Sequence, residues 1–246
     1  MIPLHDDNPT RRQPVVTIVL IALNVIVFFF WQERDGGPRE VNFLYRQAAV
    51  PCEVTSGEPV EQGTRGQPTC DGSSERRVFP EKNVYLAVLV SMFLHGSILH
   101  IAGNMLFLWT FGNNIEDDLG PVLYLAFYVV AGLVAAMAHI VLFRTSAVPV
   151  VGASGAIAGV MGAYLVRFPR ARVLTLISFF AIWIPSWIVL GVWFIGQFLI
   201  SSADSGVATA AHIGGFLFGL AFGLVYLRPR AARRQIRSVQ PEPYWR

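Results

Sequence analysis

Apolar residues along this chain gather in long blocks separated by polar turns, as expected of helices that must be apolar on every side. The first block runs from about Val15 to Trp31, behind Arg11 and Arg12. It lacks a small-residue cleavage site, which predicts a retained helix instead of a removed signal segment. A polar stretch rich in Gly, Pro, Glu and Arg follows, from about Gln32 to Lys82. Val84–Leu94 is then amphipathic, as a short helix lying in a membrane interface would be. Blocks at about Ile98–Phe111, Pro121–Phe143 and Ala153–Phe168 predict three more spans. Asn113–Gly120 reads as a polar turn between the first two, Pro121 suits a first helical turn, and Pro169 ends the last. The fifth block, about Val173–Ile200, is long and aromatic, and Pro185 inside it predicts a kink or break. The sixth, about Ala208–Leu227, leads into a tail carrying Arg228, Arg230, Arg233, Arg234 and Arg237.

The expected fold class is therefore an all-α membrane protein, a bundle of six transmembrane helices. It divides into a segment 1–14, a membrane domain 15–227 that includes an extracytoplasmic loop 32–97, and a basic tail 228–246. Composition agrees: 54% hydrophobic against 14% charged lies outside the range of soluble domains. Arginines set the orientation. Arg11, Arg12, Arg167, Arg170, Arg172 and the tail arginines fall on one face, which puts the N and C termini in the cytoplasm. The net charge of +3 is small and tied to span ends, so it signals topology and gives no case for nucleic acid. Cys52 and Cys70 both lie in the long loop, where a disulfide and two free thiols are both open.

With that orientation, spans two, four and six all begin at the extracytoplasmic side. His100 and Asn104 then share a depth with Ser154 and His212, although they come from three separate helices. Intramembrane polar groups are costly unless paired, so such a set is a candidate site. Gly155, Gly159 and Gly162 in span four, and Gly215, Gly219 and Gly223 in span six, allow close helix approach. At such spacing an imidazole can take the proton of a serine hydroxyl that is otherwise inert near neutral pH. His100 and Asn104, four residues apart, share a helical face, and both can donate to an oxyanion.

Three motifs carry a family likeness: His100-Ile101-Ala102-Gly103-Asn104, Gly152-Ala153-Ser154-Gly155, and Ala211-His212-Ile213-Gly214-Gly215-Phe216-Leu217-Phe218-Gly219. Together, in this order and at helix starts, they resemble the rhomboid intramembrane serine proteases over nearly the whole six-span core. The resemblance implies a Ser154–His212 catalytic dyad, an oxyanion site of His100, Asn104 and the Ser154 backbone N–H, and a structural Glu116. It implies transmembrane protein substrates in a lipid bilayer, with no metal or cofactor. A bacterial plasma membrane is the expected location, and homo-oligomerisation is open. Two positions depart from the family pattern. Leu86 and Ala87 stand where a Trp-Arg pair is often found, and Ala158 stands where some members place an aromatic against the catalytic imidazole. These departures bear on the loop and on the support of His212, not on the reactive groups.

Blander readings exist for each residue. A lone serine among Gly and Ala is more often a packing hydroxyl, and a lone intramembrane histidine is more often a satisfied polar group. His95 reads as a structural loop residue, His139 as packing, and the tryptophans of the fifth block as lipid-facing or interfacial. A nucleophile elbow is excluded because Ala156 stands where that motif needs Gly. No third acid is evident: Asp204 is in the last loop, about two turns upstream of His212, and Asp117 and Asp118 fall on the other side. A silent client-binding relative and a small transporter are the competing function classes. Mid-depth charges or broken helices would mark the transporter.

Overall fold

The computed structural model describes residues 1–63, 68–72, 74, 76–199 and 208–227. Asp204 and the basic tail lie outside the described residues. Strand β1 (Ile2–Asp6) precedes helix α1 (Val15–Ile26), which continues through a wider turn to Trp31. The loop that follows carries α2 (Pro38–Gln47), α3 (Pro51–Ser56), a small hairpin β2 (Glu61–Gln62) and β3 (Pro68–Thr69), and α4 (Leu86–Ser91). Helices α5 (Ile98–Leu119), α6 (Pro121–Leu142) and α7 (Ser154–Arg167) follow. Strands β4 (Arg172–Ile177) and β5 (Phe180–Pro185), then helices α8 (Ser186–Gly196) and α9 (Thr209–Phe222), complete the described order. Pro121–Leu142 and Thr209–Leu227 are long and apolar enough to cross a membrane. Val15–Trp31 and Ser186–Gly196 are shorter apolar helices.

Helix α7 is the axis of the bundle, with Gly155 through Tyr164 buried. Its glycines are there because α9 lies against it backbone to backbone. A Cβ at Gly215 would strike the carbonyl oxygen of Gly155, and one at Gly219 would strike that of Gly159. On the other face, Ala131 and Ala135 of α6 sit 2.6 Å from where side chains of Gly159 and Gly155 would begin. Without a hydrophobic driving force between helices in lipid, this close contact is what holds them together.

The fifth block corrects the expected 173–200 span and adds a small sheet to a structure that is otherwise mostly helical. Its first half is a hairpin paired with the N-terminal strand, in the order β1-β4-β5. Val173 faces Ile184, Leu174 faces Trp183, and Ile2 faces Leu176. The cause is local. Arg172–Ile177 buries Val173 and Thr175 while leaving the intervening residues more open, a period of two that suits a strand. Pro185 is the junction from strand to helix, so no kinked helix runs through it, and Ser186 begins α8 with its hydroxyl donating to Phe168 O at 2.6 Å.

Asn113–Leu119 is not a turn; it continues α5 until Gly120, at φ +81°, ends it. Its polar side chains all face partners. Glu116 accepts from Val16 N, Thr17 N and Thr17 Oγ1, each at 2.8 Å, and so caps α1, which has no cap of its own. Asn114 donates to Asp6 at 2.8 Å, and Asp118 pairs with Arg167 at 2.9 Å.

At the opposite end the long loop is ordered around a Cys52–Cys70 disulfide and the only lysine. Lys82 Nζ donates to Tyr45 O and Ala48 O at 2.7 Å and pairs with Glu53, whose other oxygen accepts from Val60 N at 2.9 Å. Burial pushes the Lys82 ammonium down from its ordinary range, against the pull of Glu53. Removing one partner of such a pair strands the other charge away from water. Lys82→Met is therefore expected to cost ~3–5 kcal/mol, and Lys82→Met with Glu53→Gln much less. Thermal unfolding under non-oxidising and oxidising conditions measures both.

Candidate active site

Ser154 is the first residue of α7, so its backbone N–H has no acceptor within the helix and lies at the positive end of the helix dipole. Its Oγ is 2.7 Å from Nε2 of His212, which stands one turn into α9. The contact depends on the Gly155–Gly215 crossing immediately beneath it, since any side chain there would separate the two helices.

His100 and Asn104 approach from α5. Ser97 caps that helix by accepting from His100 N at 3.1 Å, and Asn104 Nδ2 donates to His100 O at 3.0 Å. Gly96 N donates to His100 Nδ1 at 3.3 Å, so in the neutral ring the proton lies on Nε2. That nitrogen faces Gly152, where a Cβ would lie 3.0 Å from it and 3.4 Å from Ser154 Oγ. Gly152 is needed twice over, because its φ of +129° also disfavours any side chain. Its N–H donates to Ser91 O at 2.9 Å, while Ser91 Oγ accepts from Ala49 N at 2.6 Å. Helix α4 thus ties the long loop to the turn that presents the serine.

All four residues line one cavity of about 580 Å³, together with Gly103, Phe107, Ile157, Met161 and Trp193. Its rim at Gly96, Ser97 and Leu99 is exposed. A second, small cavity of about 40 Å³ lies behind the serine, lined by Val151, Gly155, Ala135, Ala136 and His139 among others. His95 is fully buried. Its backbone is clamped by Gln32 at 2.6 and 3.0 Å, and its ring packs edge-on to Phe28 and His100.

Two residues around His212 were not legible as site residues. Gln197 Oε1 lies 2.7 Å from His212 Nδ1, and the Trp193 ring centroid lies 5.7 Å from that of the imidazole. One signal existed for the first: Gln197 is the only amide side chain in the whole fifth block, and an amide in lipid needs a partner. Trp193, read as lipid-facing or interfacial, instead packs inward against His212, Phe216 and Phe107.

The rhomboid-domain family model matches residues 82–229, which is more than half of the chain and includes all three motifs. The chain belongs to the rhomboid family. Members are integral membrane proteins and generally intramembrane serine proteases. The mitochondrial Rhomboid protein 1 of Saccharomyces cerevisiae is 30% identical over 65% of this chain and 47% of its own length. The rhomboid protease GluP of Bacillus subtilis is 28% identical over 86% of this chain and 36% of its own. The human presenilin-associated rhomboid-like protein, mitochondrial, is 31% identical over 54% and 36%. The chain thus spans less than half the length of these rhomboid relatives.

Proposed function

We propose that this chain is an intramembrane serine endopeptidase that cleaves transmembrane protein substrates through Ser154 and His212. The observation that carries this reading is the 2.7 Å contact between Ser154 Oγ and His212 Nε2, at the edge of a cavity that His100 and Asn104 also line. Ser154 Oγ attacks the scissile carbonyl carbon while His212 Nε2 takes its proton. The oxyanion is held by the Ser154 N–H, His100 Nε2–H and an Asn104 amide hydrogen. His212 returns the proton to the departing amine, leaving an acyl-enzyme. Water then attacks with its proton passing to His212, and the acid leaves as Ser154 regains its hydrogen. A helical peptide bond is shielded, so the substrate must unwind locally. The small-residue lining of the cavity behind the serine favours small side chains beside the cleaved bond.

Six crossings, by α1, α5, α6, α7, α8 and α9, with both termini cytoplasmic, go with this reading. Arg11, Arg167 and Arg172 gather at the end that carries the sheet, and the disulfide lies at the other. Helix α8 has 11 residues, ~17 Å of rise against a ~30 Å hydrocarbon core, and the hairpin continues its path toward the arginine end. A bacterial plasma membrane fits the long overlap with the Bacillus subtilis protease and a disulfide outside the cytoplasm.

The test is a serine-reactive fluorophosphonate applied to the purified protein in bilayers, beside a panel of single-span substrates. Wild type is expected to be labelled and to cleave, and Ser154→Ala to do neither. A wild type that neither labels nor cleaves overturns the reading in favour of a client-binding relative. Asn104→Ala is expected to lower kcat by ~10²–10³ with KM little changed, as loss of one oxyanion donor does.

A further inference from the structure

Four residues beyond the serine, where some family members place an aromatic against the catalytic imidazole, this chain has Ala158, a methyl group that bonds nothing. The support comes instead from α8. Trp193 packs against the His212 ring, with centroids 5.7 Å apart and planes tilted by 37°, and Gln197, four residues further on, meets its edge at Nδ1. We infer that Gln197 is a positioning residue that holds His212 in the tautomer able to accept the Ser154 proton; this rests on the protease reading above.

The amide leaves no ambiguity about which atom it presents. Gln197 Nε2 donates to Trp193 O at 3.1 Å, which spends the NH₂ group on the helix's own backbone and turns Oε1 toward the ring. Oε1 can only accept, so the hydrogen of the neutral imidazole lies on Nδ1. Nε2 is then a bare lone pair, 2.7 Å from the serine hydroxyl. Gln197 is buried, so water does not compete for Nδ1. The role is that of an acidic third member in other serine hydrolases, filled by a neutral acceptor. A carboxylate at this depth would have to be desolvated, whereas an amide satisfied at both ends costs far less. The tautomer of the base is thereby tied to the seating of α8 against α9.

Solid-state NMR of ¹⁵N-histidine protein in bilayers tests this without relying on turnover, with the His212 signals assigned by their loss in His212→Gln. Wild type is expected to carry its proton on Nδ1 with Nε2 bare. Gln197→Met, which keeps the length and removes the acceptor, is expected to populate the Nε2–H form. It should also lower kcat by ~10–100-fold at little-changed KM, as loss of an outer-shell partner to a histidine does. Gln197→Glu, which restores an acceptor oxygen, should recover most of that loss. An Nε2–H tautomer in wild type, or one tautomer shared by wild type and Gln197→Met, overturns the assignment. So does full kcat in Gln197→Met. Each of these leaves the protease reading standing, while a wild type unreactive to fluorophosphonate that still carries Nδ1–H overturns that reading alone.

Discussion

Ser154→Ala, His212→Ala and the double variant will show the same residual activity, each down by ~10⁴-fold or more in kcat. On the proposed mechanism the two side chains make one device: the hydroxyl is a poor nucleophile without a base, and the imidazole has no proton to take without the hydroxyl. The contact at 2.7 Å makes them a single hydrogen-bonded unit, so on that mechanism removing either removes the function of both. A packing serine and a satisfied histidine would behave otherwise. Their deletions would cost stability, add roughly independently and leave turnover nearly intact. Single-turnover cleavage of a reconstituted single-span substrate, with protein amounts normalised by folded fraction, separates the two. Additive losses would refute the dyad.

Gly219→Ala will damage both folding and turnover, although it adds only a methyl group far from the chemistry. That methyl would strike the carbonyl oxygen of Gly159, a backbone atom that has no rotamer by which to move aside. Overpacking of this kind costs ~1–3 kcal/mol, and relief must come from separating α7 and α9. Ser154 and His212 ride on those two helices, and a misplacement of ~1 Å costs ~10²-fold in rate. We expect a loss of ~2 kcal/mol in unfolding and ~10²-fold in kcat. Gly191→Ala in α8 is the control, since nothing lies within 4 Å of its added carbon. It should leave turnover unchanged and gain ~0.5–1 kcal/mol from helix propensity. If Gly219→Ala behaves like Gly191→Ala, close helix approach is not what brings the serine to the histidine.

Much of this architecture was legible in the residue pattern. The blocks at 15–31, 121–143 and 208–227 match helices or helical runs within a residue or two, because a helix in lipid must be apolar all round and needs no partner to be recognised. Arginine placement and helix polarity together assigned His100, Asn104, Ser154 and His212 a common depth, and in the structure they line one cavity. The failures were of two kinds. Asn113–Leu119 is polar yet helical, because its carboxylates and amides bond partners about a hundred residues away in sequence. Arg172–Pro185 is apolar yet extended, because it pairs with Ile2–Asp6 at the other end of the chain.

The residues that flank His212 failed for the same reason. Gln197 and Trp193 were visible only as an amide and an aromatic in an apolar block, and nothing local says which way either points. The sequence by itself determined which groups are expensive to leave unpaired in lipid and which helices can touch, because desolvation cost and side-chain volume are properties of single residues. Only the tertiary structure decided which partner each such group takes. A hydrogen bond at 2.7 Å between Gln197 and His212 depends on the seating of two helices against each other, and that seating is set by contacts along their whole lengths.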